Sequence, residues 1–488
     1  MSPRLSSFEG LPEGVAVPAY RAQAHRPGIV HIGLGAFHKA HQAVYTDDAL
    51  TAEGGDWRII GVSLRSTAPA EELTPQNCLY TTLERGAEGT RARVIGSIAA
   101  ALCLQGDREA VLRALCDPAT KIVSLTVTEK GYGIDRKSGG VDIGHPAIAA
   151  DLADPANPQG VAGLLVWALH QRRAAGVAPF TVLCCDNLPE NGPLVRSLLI
   201  DFARRTDPEL SAHISAEVAF PATMVDRITP ARSDATLRLA GELTGHADAA
   251  AVECETFRQW VIEDQFPTGR PAWEAGGALF VQDVRPFEDM KLRMLNGTHS
   301  MLAYSGFLAG HKYVRDVLAD PALAIMVKRH LAAAAATLGD LPGVDLDAYA
   351  EDLAKRFANP HLAHETYQIA MDGSEKMPQR IFAPAMEALR RHQPLDAFAF
   401  ATAAWMRYTL GHTEDGKSYG LRDPLEAKLR PEEGSALSAD RIMEHLGNVP
   451  NLIPHDLRES DEWNHAVREN LEGILRDGMP SAIARAAT

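Results

Sequence analysis

The chain has 488 residues, enough for two or three domains with a sizeable hydrophobic core. Its 46% hydrophobic and 23% charged residues are the balance of an ordinary globular protein. A formal charge of −15, from 48 basic and 63 acidic residues, argues against general binding to nucleic acid or to an anionic membrane. It leaves room for a local basic pocket that binds a small anion.

The first residues and the cysteines both indicate a reducing compartment. Residues 1–27 are rich in Pro and Ala and contain no apolar segment of signal-peptide length, and no later run reaches the length of a membrane span. The six cysteines form no CxxC pair and no zinc-type spacing, so we expect buried free thiols. We therefore predict a cytoplasmic protein.

The first predicted element is a short buried strand over residues 29–32. Gly33 and Gly35 follow as a tight turn, and a helix is predicted from Ala36 onward. This is the strand–turn–helix context of a dinucleotide fingerprint, in which glycines let a pyrophosphate approach a helix N-terminus. An ordinary strand–helix turn has the same residues. His38 replaces the third glycine, which predicts a looser contact between helix and strand.

The second predicted strand covers residues 57–64. NAD-binding folds often place Asp or Glu after this strand to bind the ribose hydroxyls. Here the strand runs into Arg65, and no acid occurs before Glu71. Arg65 is either a cofactor contact that tolerates a 2′-phosphate or a solvated loop residue, so NAD and NADP both stay open.

Two further predicted strands, residues 121–128 and 180–185, end in polar side chains. Glu129 and Lys130 follow the first, and Asp186 and Asn187 follow the second. In a parallel sheet, ligands bind beyond the carboxyl ends of the strands, which is where these residues lie. The apolar run 224–228, with Asp226, is a third position of this kind. Each residue alone is more often a loop polar group or a helix cap.

The pattern changes from strands to helices near residue 286. We predict an α/β Rossmann-type dinucleotide-binding domain over residues 1–285, followed by a mostly α-helical domain over residues 286–488. The predicted helical segments of the second domain are 319–357, 378–392, 396–410, 438–446 and 460–476.

Residues 289–302 predict a helix with an unusual polar face. Leucines recur at offsets of three and seven, namely Leu292, Leu295 and Leu302. At about 100° per residue, we place Lys291, Asn296 and His299 on the side of the leucines. A buried lysine with a lowered pKa serves as a base, while Asn and His hold a reacting oxygen. In the alternative, Lys291 snorkels to solvent and the other two are satisfied core polar groups.

Five segments resemble those of the polyol-specific long-chain dehydrogenases, over nearly the whole chain from Ile29 to about Tyr408. The most specific is Lys291-Leu-Arg-Met-Leu-Asn-Gly-Thr-His299, which fits the family's Lys-x4-Asn-x2-His pattern. The other matching segments are 33–41, 185–187, 224–228 and 257–264.

The resemblance implies metal-independent hydride transfer between NAD and C2 of a linear sugar derivative. It implies that Lys291 is the general base, that Asn296 and His299 hold the reacting oxygen, and that Asn187 supports Asn296. It also implies that Asp226 faces the substrate and that Glu129 lies in a proton path. The cofactor would be lined by Gly33, Gly35, Ala36 and Phe37. The resemblance also favours a monomer.

Within the family, Thr128-Glu-Lys-Gly-Tyr132 is more similar to the fructuronate reductases, since the hexitol dehydrogenases have Gly at the position of Lys130. A hexonate carries a carboxylate, with which Lys130 would pair, helped by Lys376 or Arg380. The expected reaction is therefore D-mannonate with NAD to D-fructuronate and NADH, and the alternative is D-mannitol to D-fructose. Lys130 is otherwise an ordinary surface lysine.

Two other classes of protein fit the sequence less well. A zinc-dependent alcohol dehydrogenase would need ligands at workable spacing, and His361 with His364 is the nearest pair, which more often marks a helix face. A catalytically silent nucleotide-binding protein would not need Lys291, Asn296 and His299 together.

Overall fold

The computed structural model describes residues 2–135, 138–339, 341, 343–361, 364–431 and 438–488. The chain divides into two compact units, Met1–Arg285 and Pro286–Thr488. Residues 340 and 342, within the predicted helical segment 319–357, lie outside the described residues.

Among the residues that the structure describes, the strands all belong to the first unit. They are β1 (Pro27–Ile32), β2 (Arg58–Ser63), β3 (Tyr80–Gly86), β4 (Gly89–Ile95), β5 (Ile98–Cys103), β6 (Ile122–Leu125), β7 (Thr181–Cys184), β8 (Thr223–Asp226), β9 (Val252–Glu255), β10 (Gln259–Glu263) and β11 (Leu279–Val281).

Ten α-helices lie among the described residues of the first unit. They are α1 (Ala36–Ala40), α2 (Gln42–Ala52), α3 (Ala68–Leu73), α4 (Arg108–Cys116), α5 (Glu129–Tyr132), α6 (Pro146–Ala153), α7 (Val161–Ala174), α8 (Asn191–Thr206), α9 (Pro208–Glu217) and α10 (Asp234–Thr244), with 3-10 turns at Ala22–Ala24, Thr74–Gln76 and Trp273–Gly276.

The central sheet of the first unit has five parallel strands in the order β5-β2-β1-β6-β7. The order reverses between β1 and β6, where Ile29 pairs with both Ile59 and Ile122. This is the strand order of a Rossmann fold, which binds ligands at the carboxyl ends of the strands beside this reversal. The predicted Rossmann-type fold class is confirmed.

Both faces of the parallel sheet are covered, as a crossover topology requires. Val30 and Ile32 of β1 belong to a core formed with α7 and α8, whereas Ile29 belongs to the core on the other face, with α2 and Trp260. Two three-stranded sheets, β11-β10-β8 and β4-β3-β9, complete the unit.

From residue 285 onward the described residues form helices. These are α11 (Arg285–Met290), α12 (Gly297–Leu308), α13 (Val314–Ala319), α14 (Pro321–Ala336), α15 (Leu346–Phe357), α16 (Thr366–Ala370), α17 (Gly373–Met377), α18 (Ala383–Arg390), α19 (Asp396–Tyr408), α20 (Glu426–Leu429), α21 (Ala439–Gly447), α22 (His455–Arg458), α23 (Asp461–Asp477) and α24 (Met479–Ala486), with π-helices at Lys291–Asn296 and Pro378–Phe382.

Helix α12 is the centre of the second unit. All of its residues except Phe307 are buried, and it packs against α14, α16 and α19. A helix that is buried on every side belongs to a core rather than to a surface. The mostly helical class predicted for this half is confirmed.

In the described part of the chain, no helix has the length and apolar character needed to cross a bilayer.

Candidate active site

The helix that carries the predicted catalytic residues contains a π-helical stretch. Residues Lys291–Asn296 form a π-helix that joins α11 to α12. A π-helix bonds residues five positions apart, so Lys291 and Asn296 lie on one face. At the ~100° per residue of an α-helix, they would point about 140° apart. The expected α-helical period is therefore wrong here, and the π-helix is what aligns the two side chains.

Lys291, Asn296 and His299 are all buried, at 7%, 9% and 8% exposure. The Nε2 atom of His299 is buried and has no hydrogen-bond partner among the described residues. Burial, reinforced by neighbouring cations, holds the pKa of His299 well below its usual value. The imidazole is therefore neutral at pH 7, and Nε2 is free to bind a ligand oxygen.

Several basic side chains surround His299 within the second unit. The His364 ring lies edge-on to the His299 ring with centroids 5.3 Å apart, and Arg356, Arg380 and Lys291 also lower the pKa of His299. The sequence offered no indication of Arg356, and it suggested His364 only as half of the nearest pair to a metal site. We call the following six residues the cationic cluster: Lys291, His299, Arg356, His364, Lys376 and Arg380.

Arg380 lies in the second π-helix, Pro378–Phe382, and its side chain extends to α12. Its Nη1 lies 3.5 Å from Ser300 Oγ, and its Nε is buried without a partner among the described residues. Burial lowers the pKa of Arg380 to about 10, so it remains charged at pH 7. A Cβ atom on Gly297 would lie 2.7 Å from the Arg380 carbonyl oxygen. A glycine at 297 therefore lets the two π-helices approach closely.

Lys376 is already held by its own segment. Its Nζ donates to the carbonyl oxygens of Ile369 at 3.2 Å and Met371 at 2.5 Å, and it lies 3.8 Å from Asp372 Oδ2. Burial, followed by the charge of Arg380, lowers the pKa of Lys376. One of its three N–H groups is left for a ligand.

In the first unit, the glycine turn lies at the carboxyl end of β1. Gly33 has φ of +105°, and a Cβ there would lie 2.1 Å from the Thr126 carbonyl oxygen, so only glycine fits. A Cβ on Gly35 would meet nothing closer than 3.6 Å, and α1 starts immediately afterward at Ala36. An open glycine before a helix N-terminus fits the pyrophosphate of a dinucleotide. The Phe37 ring stacks on His41 with centroids 5.0 Å apart.

His38, in place of the third glycine, is fully buried beneath this turn. Its ring stacks on His31 of β1, with centroids 3.4 Å apart. Burial lowers the pKa of both rings, so they are neutral and do not repel each other. His31 is fixed by Ser124 Oγ and Thr126 Oγ1, each 2.9 Å away. The contact between α1 and β1 is thus made by two stacked imidazoles.

Three more of the predicted residues lie at the carboxyl ends of β6 and β7. Glu129 and Lys130 begin the short helix α5 after β6, and Asn187 lies three residues after β7 ends. All three side chains are exposed, and the Lys130 ammonium has no partner among the described residues. They lie at the edge where a Rossmann fold binds its ligands.

Asp226 and Arg65 have different surroundings. Asp226 is the last residue of β8, as expected of a strand end, but its expected place beside the ends of β6 and β7 is wrong, because β8 pairs antiparallel with β10 in a separate sheet. Asp226 itself is buried, and the neighbouring Arg227 forms a 2.7 Å ion pair with Glu84. Arg65 is exposed two residues after β2.

Comparison with known proteins agrees with this arrangement. The family model for the mannitol dehydrogenase Rossmann domain matches residues 27–275, and that for the mannitol dehydrogenase C-terminal domain matches residues 283–475. The class of protein is therefore a dehydrogenase that acts on a CH–OH group.

Relatives of similar length support the same classification. The D-mannonate oxidoreductase of Escherichia coli K12 is 42% identical over 96% of this chain and 98% of its own. The mannitol 2-dehydrogenase of Aspergillus terreus is 40% identical, over 97% and 95%. The Pseudomonas fluorescens mannitol 2-dehydrogenase, solved as a ternary complex with NAD and D-mannitol, has a TM-score of 0.84 at 37% identity, with 99% of each chain covered. The chain belongs to the mannitol dehydrogenase family, and the resemblance stated from its sequence is confirmed.

Proposed function

We propose that the protein interconverts D-mannonate and D-fructuronate with NAD as the hydride acceptor and NADH as the donor. The observation that carries this choice within the family is the cationic cluster. Within this cluster Arg356 and Arg380 carry positive charge close to His299, Arg380 also lies close to Lys376, and burial removes much of the water that would screen these like charges. A substrate carboxylate offsets this cost, whereas an uncharged hexitol does not.

Arg380 is the best-placed partner for such a carboxylate in the second unit. It stays protonated, and its Nε and Nη1 are not held by a short internal hydrogen bond. A guanidinium binds a carboxylate through two parallel hydrogen bonds, which Lys376 alone does not offer. In the first unit, Lys130 is the proposed second contact, because its ammonium is exposed and unpaired.

The proposed chemistry uses the three residues of the catalytic helix. Neutral Lys291 removes the proton of the C5 hydroxyl of D-mannonate, the carbon that is C2 of D-fructuronate, as the hydride leaves, and protonated Lys291 returns it in the reverse direction. Asn296 and His299 donate hydrogen bonds to this oxygen as its charge develops, with Asn187 as an additional donor. Asp226 is proposed to bind substrate hydroxyls, and Glu129 to pass the proton of Lys291 to solvent.

Gly33, Gly35, Ala36 and Phe37 are proposed to line the cofactor. When bound, NAD supplies the site that accepts the hydride. Arg65, in the position where an acid would favour NAD, leaves NADP as an alternative cofactor.

The substrate is tested by initial rates of NADH oxidation with D-fructuronate and with D-fructose in chelator-treated buffer. We expect a large preference for D-fructuronate in kcat/KM. A preference for D-fructose would show a mannitol 2-dehydrogenase instead, and activity only with NADPH would identify NADP as the cofactor.

The role of the cationic side chains is tested by Arg380→Met and by Lys130→Gly. Each should raise KM for D-fructuronate by about 10-fold or more, because a charge-assisted pair is lost, and should change KM for D-fructose far less. Lys328→Ala, on the exposed face of α14, is the control. Equal effects on both ketoses would contradict recognition of the carboxylate.

A further inference from the structure

Thr128 has a backbone conformation that a β-branched residue rarely adopts. Its φ of 66° and ψ of 156° lie in a region used almost only by glycine. The residue directly precedes Glu129 and Lys130, and it follows β6, which borders the reversal of strand order. Strain of this kind persists only where the surrounding structure enforces it.

The carboxylate of Asp186 enforces this conformation. Its Oδ2 accepts the backbone N–H of Val127 at 2.9 Å, and its Oδ1 accepts that of Thr128 at 3.1 Å. Asp186 comes two residues after β7, and Leu125 of β6 pairs with Cys184 of β7. The carboxylate therefore bridges the ends of two adjacent strands.

Tyr132, the last residue of α5, also binds Asp186. Its hydroxyl donates to Asp186 Oδ2 at 2.7 Å and lies 3.1 Å from Cys184 Sγ, and its ring is fully buried. His145 Nε2 lies 3.1 Å from the carbonyl oxygen of Lys130. The single turn of α5 is thus fixed at both ends, while the side chains of Glu129 and Lys130 remain exposed.

We propose that Asp186 is a positioning residue, whose carboxylate holds Thr128 in its strained conformation and so directs Glu129 and Lys130 to the ligand-binding edge of the sheet. The inference rests on the proposed function, in which Glu129 serves the proton path and Lys130 the carboxylate. Asp186 itself does not react, because both of its oxygens are used by Val127, Thr128 and Tyr132.

The first test is Asp186→Asn, which keeps the shape of the side chain but cannot accept both backbone N–H groups in the same way. We expect kcat to fall by about 10-fold or more as the proton path is misaligned, with the Kd of NADH, measured by fluorescence, unchanged. Unchanged kcat would overturn the proposal, and so would an equal loss of NADH affinity.

The second test asks whether Thr128→Gly restores the kcat that Asp186→Asn loses. Glycine adopts this conformation without strain, so Asp186→Asn/Thr128→Gly should recover several-fold of the kcat lost in Asp186→Asn. No recovery would contradict the claim that Asp186 acts through Thr128.

Asp151→Asn is the matched control. Asp151 is a buried carboxylate of the first unit that likewise accepts two backbone N–H groups, from Gln159 at 2.7 Å and Gly160 at 2.8 Å, but it caps the loop after α6. This variant should lose thermal stability and keep kcat. A comparable loss of kcat in Asp151→Asn would reduce the effect of Asp186 to general destabilisation.

A second readout needs no substrate, so it separates this inference from the proposed function. In the Asp186 background, Thr128→Gly should have a higher Tm than Thr128→Ala, because only glycine relieves the strain. In the Asp186→Asn background, this gap should shrink as the segment relaxes. An equal Tm difference between Thr128→Gly and Thr128→Ala with Asp186 and with Asn at position 186 would overturn the proposal. This outcome would hold even if the substrate proved to be another polyol.

Discussion

Lys291 is the residue on which the proposed chemistry depends most directly. Lys291→Ala should lower kcat by about 10²- to 10⁴-fold, the usual contribution of a general base. NADH binding should persist, because the glycine turn that fits the dinucleotide lies in the first unit. Rapid kinetics and fluorescence titration measure the two quantities separately. Wild-type turnover by the variant would contradict the assignment of the base, and loss of NADH binding would indicate a structural role.

At the scale of single residues, candidate functional side chains could be predicted where they lie close together in the sequence. Lys291, Asn296 and His299 lie within nine consecutive positions, so their spacing predicts a shared site. Arg356 and His364 could not be predicted as neighbours of His299, because the contact depends on how separate helices pack. The same holds for Asp186, whose role as a bridge between two strands depends on the pairing of β6 with β7.

At the scale of helices and strands, the close approach of the two π-helices depends on the glycine at position 297. A Cβ at position 297 would approach a backbone oxygen of Arg380, which cannot move aside as a side chain does. Gly297→Ala should therefore destabilise the fold by about 1–3 kcal/mol, despite the ~1 kcal/mol by which Ala favours a helix over Gly. It should also lower kcat/KM, since Arg380 is displaced.

Urea unfolding and steady-state kinetics test this expectation. The control is Gly241→Ala in α10, where the added Cβ would meet nothing closer than 3.5 Å. That variant should be neutral or stabilised. Equal behaviour of the two variants would show that close approach at Gly297 does not matter.

Helices and strands could be predicted where their residue types favour the secondary structure that they form. β1, β2 and β6 are rich in Val and Ile, β7 is mostly apolar and fully buried, and each was expected within a few residues of its observed bounds. β5 was not expected, because three of its six residues are alanines, which are poor strand formers. The π-helix was missed because a helical pattern is normally judged at 3.6 residues per turn.

At the scale of the whole molecule, the α/β half and the helical half follow from the change in pattern along the chain. The two small sheets do not, because they join distant segments: β3 pairs with β9, and β8 with β10. No local pattern records such pairings. The central sheet is easier, since its strands alternate with helices in the regular order of a crossover fold.

Buried histidines make the stability of the folded chain sensitive to acid. Burial lowers the pKa of His31 and His41 to about 3 and that of His330 to about 4. In the unfolded chain these rings bind protons below ~6.5, whereas in the folded chain they do not. The free energy of unfolding should therefore fall by up to about 4 kcal/mol per pH unit below pH ~6.

Buried carboxyl groups act in the opposite direction. Burial raises the pKa of Asp47, Asp151 and Asp186, so the folded chain binds their protons more readily as the pH falls. The histidines outnumber them, since His38, His299 and His364 are also depressed. The urea concentration at the midpoint of unfolding, measured at pH 7.0, 6.0 and 5.5 and constant ionic strength, shows whether the histidines or the carboxyl groups have the larger effect. A midpoint that stays level or rises on acidification would contradict this account.

The π-helix at Lys291–Asn296 also constrains the number of residues between these two side chains. Removing one residue between Lys291 and Asn296 would leave them four positions apart, a spacing that an ordinary α-helix places on one face. Inserting one residue would leave them six positions apart and, at about 100° per residue, would turn them about 120° away from each other. This helix should therefore accommodate a shorter spacing between Lys291 and Asn296 more readily than a longer one.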